Sequence, residues 1–148
     1  MRTKLRIRAA AAVVALLLGG LLALFATSGP AVAFFSGGLF LDVQVQSPAR
    51  LVARGAAVDV PLEVTCSGTN SVEVFVSVSQ KAGSGVAQGF GSTSVGCTGS
   101  GQQVIVRVQA SGGKTFKQGT AVASAEVFGC GRRVCGSETD SEVIQIQR

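Results

Sequence analysis

Hydrophobic and polar residues alternate with a period of two along most of the chain beyond residue 40. The clearest segment is 72–78, where a valine stands at every even position and Glu73, Phe75 and Ser77 stand between them. The same alternation marks six further segments, at 41–46, 58–66, 92–97, 103–109, 121–127 and 143–146. A period of two places alternate side chains on opposite faces of a β-strand, and no stretch of this region keeps the helical period. The pattern therefore predicts about seven strands.

Residues that favour turns separate these segments, at 67–70, 83–85, 98–101 and 111–113. A strand with one apolar face belongs to an antiparallel sheet whose other face contacts water. About seven such strands are typical of a β-sandwich. The chain has no Trp, so the buried Trp of true immunoglobulin domains is missing. We predict an all-β, immunoglobulin-like antiparallel β-sandwich over residues 41–148, with an edge or bulge at Pro61 because proline cannot donate to a ladder.

The first 33 residues have the organisation of a secretory signal peptide. Four basic residues precede an uncharged apolar run over 9–26, and Ala31 and Ala33 offer small side chains at a cleavage site. We predict that residues 1–33 are removed, that Phe34 begins the secreted protein, and that no stable membrane span remains. An uncleaved anchor is the alternative, because the apolar run is nearly long enough to cross a bilayer. Residues 34–40 form an apolar lead-in that either joins a sheet or stays loose.

Removal of the signal changes the charge balance of the protein. The chain has a net charge of +5, but four of its 13 basic residues belong to the signal, which leaves nine against eight acids. The secreted part also has no Tyr or Trp on which bases could stack. Because nucleic-acid binders carry a basic face, the sequence predicts no nucleic-acid partner.

All four cysteines lie in the exported part, and an even number in an oxidising compartment predicts two disulfides. We favour Cys66–Cys97, which joins two strands, and Cys130–Cys135, which closes a short loop. Chain entropy predicts a stabilisation of about 3.7 kcal/mol for the larger loop and about 2.2 kcal/mol for the smaller. The alternative pairs Cys66 with Cys130, at the separation of an immunoglobulin bridge.

Several short motifs resemble those of a family of small exported proteins of unknown function from high-GC Gram-positive bacteria. They are Cys66-Ser67-Gly68, the valine strand ending at Gln80, Gly89 and Gly91, Cys97-Thr98-Gly99 and Phe116-Lys117-Gln118-Gly119. This resemblance covers residues 60–135 and implies export and fold. The chain is also similar to the enediyne-carrying chromoproteins, whose short Cys-x4-Cys loop matches Cys130 to Cys135 but whose other cysteine pair is closer than Cys66 and Cys97.

The side chains argue against catalysis. The protein has no His, so the commonest general base near neutral pH is missing. Its eight acids are scattered over strand exteriors and turns, without an apolar pocket that would raise a carboxyl pKa. Glu138, Asp140 and Glu142 lack the glycine-bearing loop of a calcium motif, and we interpret them as a solvated turn before the last strand. We predict a protein that is not an enzyme and needs no cofactor or metal.

A binding role remains, and three residues are candidates for it. By strand parity Phe75 points away from the valine face, where an aromatic ring offers contact area unless a loop carrying Phe90 or Phe116 covers it. Arg132 and Arg133 lie at the tip of the Cys130–Cys135 loop and suit an anionic group. We predict an interaction module for a protein or a cell-envelope polymer. A small-molecule carrier, marked by a concave cluster of Phe75, Phe90 and Phe116, and a structural surface protein are the alternatives.

Overall fold

The computed structural model describes residues 33–35 and 38–148, and this part of the chain is all-β. The strands are β1 Ala33–Phe35, β2 Leu39–Val45, β3 Ala49–Val52, β4 Ala57–Ser67, β5 Ser71–Ala82, β6 Gly85–Gly96, β7 Gln102–Ser111, β8 Gly119–Cys130 and β9 Cys135–Gln147. A single 3-10 turn at Ala53–Gly55 is the helical content of the described residues. None of their helices is long and apolar enough to cross a membrane. Nearly all of the predicted signal peptide, residues 1–32, lies outside the described residues.

The strands form one hydrogen-bonded sheet in the order β1-β2-β4-β3-β9-β8-β5-β6-β7, which closes on itself because β7 also pairs with β4. Pairing between described strands is antiparallel except for β3 with β9. Two of the links in this ring are short, with three residue pairs between β6 and β7 and two between β3 and β9. By contrast, β5 shares twelve pairs with β6. The predicted all-β, largely antiparallel fold is confirmed. The immunoglobulin-like sandwich is not, because short ladders join its two sets of strands into a single closed sheet.

The predicted apolar faces form the interior of this closed sheet. Buried side chains alternate along each long strand, among them Leu41, Val43, Val58, Val60, Leu62, Val64, Val74, Val76, Val78, Val106, Val108, Ala123, Ala125 and Val127. Most are valine or alanine, which are short enough to let the opposite walls approach each other. The alternation therefore predicts correctly which side of each long strand faces the interior.

Two glycines explain how β6 and β7 meet at a corner of the sheet. A Cβ on Gly89 would overlap the carbonyl oxygen of Gln109, and a Cβ on Gly91 would overlap that of Arg107. The backbone of β7 therefore crosses directly over these two positions, as glycine alone allows. The Gly89-Phe90-Gly91 segment is thus part of a strand, and the intervening Phe90 points to the outside, where it is 70% exposed.

Pro61 lies at a change of partner along β4. One edge of β4 pairs with β3 through residues 57–59 and with β2 through residues 62–67, so Pro61 falls between the two ladders. On this edge its carbonyl accepts the backbone N–H of Gln46 at 2.9 Å. Since the N–H and C=O of a strand residue point to the same side, the missing N–H of Pro61 interrupts neither ladder. The predicted interruption is therefore a change of partner strand.

The acidic segment before the last strand is itself part of β9, so the predicted solvated turn is wrong. β9 begins at Cys135 and pairs with β8 residue by residue. Glu138, Asp140 and Glu142 lie on the side of β9 that faces β2, and an Asp140 carboxylate oxygen accepts the Val45 N–H at 2.7 Å. In the described part of the chain no three such side chains are placed to hold a metal ion.

Different devices close the two ends of the closed sheet. At one end, Cys66 pairs with Cys97 and Cys130 with Cys135, which is the pairing that the sequence analysis favoured. At the other end, the 112–118 segment between β7 and β8 folds over the interior and buries Phe116. The buried Gln80 amide donates to the Lys117 carbonyl at 2.8 Å and accepts the Lys117 N–H at 2.7 Å. These bonds fix the segment above the core.

Candidate functional site

One outer surface of the protein collects most of its exposed large hydrophobic side chains. It is formed by the outward side chains of β6, β5, β8 and β9, and we call it the outer face. Of the seven exposed large hydrophobic residues within residues 38–148, six lie on it, namely Phe75, Val86, Phe90, Val122, Phe128 and Val143. The seventh, Ile105, projects from β7 elsewhere on the surface. An uneven distribution of this kind marks an interaction surface more often than scattered single residues do.

Three phenylalanines cross the outer face as a diagonal, which we call the aromatic stripe. Phe90 on β6 is opposite Ser77 on β5, and Phe75 lies two residues before Ser77 on that strand. Phe75 is opposite Glu126 on β8, and Phe128 lies two residues after Glu126. Diagonal neighbours on one face of a sheet are about 7–8 Å apart, so the stripe is about 15 Å long. All three members are exposed, at 70%, 48% and 43% for Phe90, Phe75 and Phe128.

An open depression of about 520 Å³ lies beside the stripe. Phe75 and Phe90 line it together with the hydroxyl residues Ser77, Ser124, Thr139 and Ser141 and the acids Glu126 and Asp140. The hydroxyls of Ser124 and Ser141 are 2.9 Å apart and hydrogen-bonded to each other. The depression therefore offers aromatic rings on one side, and hydroxyl groups with two acidic residues on the other.

The two arginines of the candidate site lie apart from this depression. Arg132 and Arg133 are exposed in the loop between β8 and β9, and Arg132 lines a separate depression beside Gly68, Thr69 and Asn70. The Phe75 partner Glu126 is four residues from Cys130 along β8, which corresponds to about 13 Å. Phe75 and the arginines thus lie on different parts of the surface, with Phe128 between them.

Phe116 does not belong to the aromatic cluster, so the concave Phe75–Phe90–Phe116 group is not formed. Its side chain is 1% exposed and packs in the core at the end of the closed sheet. Its N–H donates to the Gly55 carbonyl at 2.9 Å. Phe75 accordingly has no cover from this segment, and its nearest aromatic neighbours are the other members of the stripe.

The sequence analysis missed Phe128, although the same reasoning that singled out Phe75 applies to it. In β8 the inward residues are Ala121, Ala123, Ala125 and Val127. Strand parity therefore places Phe128 on the outside. Strand parity does not give the register between β5 and β8. It is this register that places Phe75 and Phe128 on one diagonal.

A charged cluster lies elsewhere, on β3, β4 and β7. Asp59 is buried between two exposed arginines, and Arg107 donates to its carboxylate at 2.7 and 3.0 Å while Arg50 donates at 3.2 Å. The hydrogen bond from Arg107, which outweighs the opposing effect of burial, lowers the pKa of Asp59, and Arg50 lowers it further. The same pair raises the pKa of Arg107. Its members lie on adjacent strands, so we interpret the cluster as an ionic link that holds β3, β4 and β7 together, and we call it the clamp.

We expect Asp59→Asn to destabilise the protein by about 1.5–3 kcal/mol at neutral pH, since hydrogen bonds to a charged group are lost. A folded-state pKa below the unfolded one means that the carboxylate stabilises the fold fully above the unfolded pKa, near 3.9. This stabilisation disappears as the pH falls through the folded pKa. Urea unfolding at pH 7 and at pH values below 4 measures it. The gap between wild type and Asp59→Asn should shrink in acid, whereas a gap independent of pH would contradict the clamp. Glu73→Gln, on an exposed carboxyl, serves as the control.

Comparison with known proteins gives little that bears on the site. No protein-family model matches the chain, and no curated protein matches it. Among solved structures, it is similar to AggA, the major subunit of aggregative adherence fimbriae type I from Escherichia coli. That likeness has 12% sequence identity and a TM-score of 0.38, and it covers 72% of this chain and 92% of AggA.

Proposed function

We propose that the protein is an exported, non-enzymatic binding module that recognises an extended partner through its outer face. The observation that carries this proposal is the concentration of exposed hydrophobic side chains on the outer face, with three phenyl rings in one stripe. The exposed parts of these rings do not stabilise the fold. The interior is filled by the inward-pointing side chains of the same strands. Their contact area is available to a partner.

A small-molecule carrier and an enzyme receive less support from the same observations. A carrier of small molecules encloses most of its ligand, about 70–90% of the surface, whereas the depression at Phe75 and Phe90 lies open on a sheet face. The core below Phe75 is closed by valine side chains such as Val74 and Val76. The commonest general base of enzymes near neutral pH is His, and the chain has none, which leaves Ser–Lys or paired-carboxylate schemes for an enzyme. Two formed disulfides accord with export, since they persist in oxidising compartments.

Phe75→Ser tests the proposal. We expect it to change the free energy of unfolding by less than about 1 kcal/mol, because the ring is half-exposed. Binding to the isolated envelope of the producing cells, measured by co-sedimentation, should weaken about tenfold if the ring is an anchor of the interface.

Ile105→Ser is the matched control, since Ile105 is 68% exposed but lies off the outer face. It should leave both stability and envelope binding unchanged. Equal binding by wild type, Phe75→Ser and Ile105→Ser would refute a role for the outer face. A large loss of stability in Phe75→Ser would instead show that the ring belongs to the core. Native mass spectrometry of the protein from culture fluid reports any partner that is released with it.

A further inference from the structure

We propose that the partner of the outer face is a neutral polysaccharide chain that lies along the aromatic stripe. This inference rests on the proposed binding function and adds the chemistry of the partner. Its basis is the combination, on one surface, of phenyl rings, many hydroxyl groups and very few charges.

The outer face is rich in side chains that both donate and accept hydrogen bonds. Besides the apolar residues, its outward positions carry Ser77, Ser79, Ser92, Ser94, Thr120, Ser124, Ser137, Thr139 and Ser141. A hydroxyl has one donor and two acceptor sites and rotates to suit its partner. Sugar hydroxyls have the same property, so the two surfaces can satisfy each other in many registers. A polymer with repeated hydroxyl groups fits this arrangement better than a partner of fixed polarity.

Charge on the outer face is almost balanced and sparse. Glu73, Glu126 and Lys81 are the charged side chains at the outward positions of β5, β6, β8 and β9, and they sum to a charge of −1. Recognition of an anionic polymer relies on arginine or lysine groups, and recognition of a cationic one on clustered carboxylates. Glu138, Asp140 and Glu142 have the opposite parity on β9, and the Asp140 carboxylate, although its residue borders the depression, accepts the Val45 N–H of β2. The electrostatic match is therefore with an uncharged chain.

The aromatic rings supply the apolar part of such a contact. Phenyl rings have no polar group, and they contribute flat apolar area against which the C–H face of a sugar ring can pack. The members of the stripe are spaced at about 7–8 Å, over about 15 Å in total. A single sugar covers one ring, whereas an oligosaccharide reaches all three.

A second copy of the protein is a poorer occupant. With the fractional exposures of Phe75, Phe90 and Phe128, the stripe presents about 300 Å² of apolar surface, since a whole aromatic side chain buries 150–250 Å². A stable protein interface buries about 800 Å² on each partner. Packing a second sheet over the outer face would also remove its serine and threonine hydroxyls from water, and those not already hydrogen-bonded within the face would need partners on the second sheet. A narrow chain covers the stripe and leaves the flanking positions in water.

Affinity electrophoresis in native gels tests the proposal on the full secreted protein. The gels contain a soluble β-glucan, a galactomannan or a dextran as neutral probes, and polygalacturonate as the anionic probe. We expect at least one neutral polysaccharide to retard wild type, with an affinity that changes little when salt is added, because no ion pairs form. Phe75→Ser/Phe90→Ser should weaken this affinity about tenfold or more, and Ile105→Ser should not. With oligosaccharides of the polymer that binds, affinity should rise from the disaccharide to the hexasaccharide.

The outcomes separate this inference from the proposed function. Retardation by no neutral probe, or by neutral probes equally in wild type and the double phenylalanine variant, overturns the inference. Binding to the isolated envelope that depends on Phe75, survives periodate oxidation of the sugars and is abolished by prior protease treatment identifies a protein partner. In that case the inference fails while the binding function stands. Envelope binding that ignores Phe75 refutes both.

Discussion

Phe116→Ala should destabilise the protein by about 3–5 kcal/mol, which is the usual cost of removing a fully buried aromatic ring. Within residues 38–148, Phe116 is the one aromatic residue in the core, and it is 1% exposed. The core cluster that contains Phe116 consists mostly of valine and alanine, whose short side chains are poorly suited to fill the space that the ring would leave. The loss should also release the 112–118 segment, whose position depends on the Gln80–Lys117 bonds and on the contact of Phe116 with Gly55.

Phe90→Ala is the matched control, because it removes the same side chain from a position that is 70% exposed. We expect its unfolding free energy to stay within about 1 kcal/mol of wild type. Urea unfolding compares the two variants, and hydrogen exchange of the amides at Phe116 and Lys117 reports the loosening of the segment. A similar, small effect for both variants would show that Phe116 is not a closing element of the core.

The strands were predictable because each obeys one physical rule over its whole length. The even positions of 72–78 are valines, and a strand that buries one face must alternate in this way. β9 was predicted only over 143–146, since its first part alternates between charged and small polar residues. Such a segment has no apolar side chains from which a strand could be predicted. It forms a strand because its backbone pairs with β8 along the whole length of β8. β3 was missed since four residues, Ala49–Val52, are too few for periodicity to be recognised.

Closure of the sheet could not be predicted from alternation. It depends on Gly89 and Gly91, which admit the β7 backbone, and on three residue pairs between β6 and β7. A glycine in a strand predicts a bulge, a bend or a close approach without saying which. Which strands meet is set by the whole topology.

The candidate site was predictable in part for the same reason. Parity gave the outward direction of Phe75, and the structure places it half-exposed on the outer face. The neighbours of Phe75 depend on the register of β5 with β6 and β8, which turns separate phenylalanines into one stripe. The sequence grouped Arg132 and Arg133 with Phe75 because each side chain is of a type that binds ligands. The sequence does not show how far apart these side chains lie in the fold.

The two disulfides should differ in their contribution to stability, with the larger loss in Cys66→Ala/Cys97→Ala. That bridge spans 31 residues and joins the end of β4 to the segment after β6, whereas Cys130–Cys135 spans five. The chain-entropy relation gives about 3.7 kcal/mol for the first bridge and about 2.2 kcal/mol for the second. Packing widens the difference, because Cys66 is fully buried in the core.

The environment of the second bridge predicts that its removal is tolerated. Cys130 and Cys135 are directly opposite in the β8–β9 ladder, and the Gly131 N–H donates to the Val134 carbonyl at 2.8 Å within the loop. The hairpin is therefore closed by backbone hydrogen bonds even without the sulfur bridge. We expect Cys130→Ala/Cys135→Ala to unfold cooperatively in urea with a modestly lower midpoint, and Cys66→Ala/Cys97→Ala to be close to unfolded at physiological temperature. Dithiothreitol reduces both bridges. Adding it should therefore lower the stability of wild type to that of a variant in which all four cysteines are replaced by alanine. If the short-loop variant were the less stable of the two, the role assigned to Cys66–Cys97 in holding that end of the sheet together would be wrong.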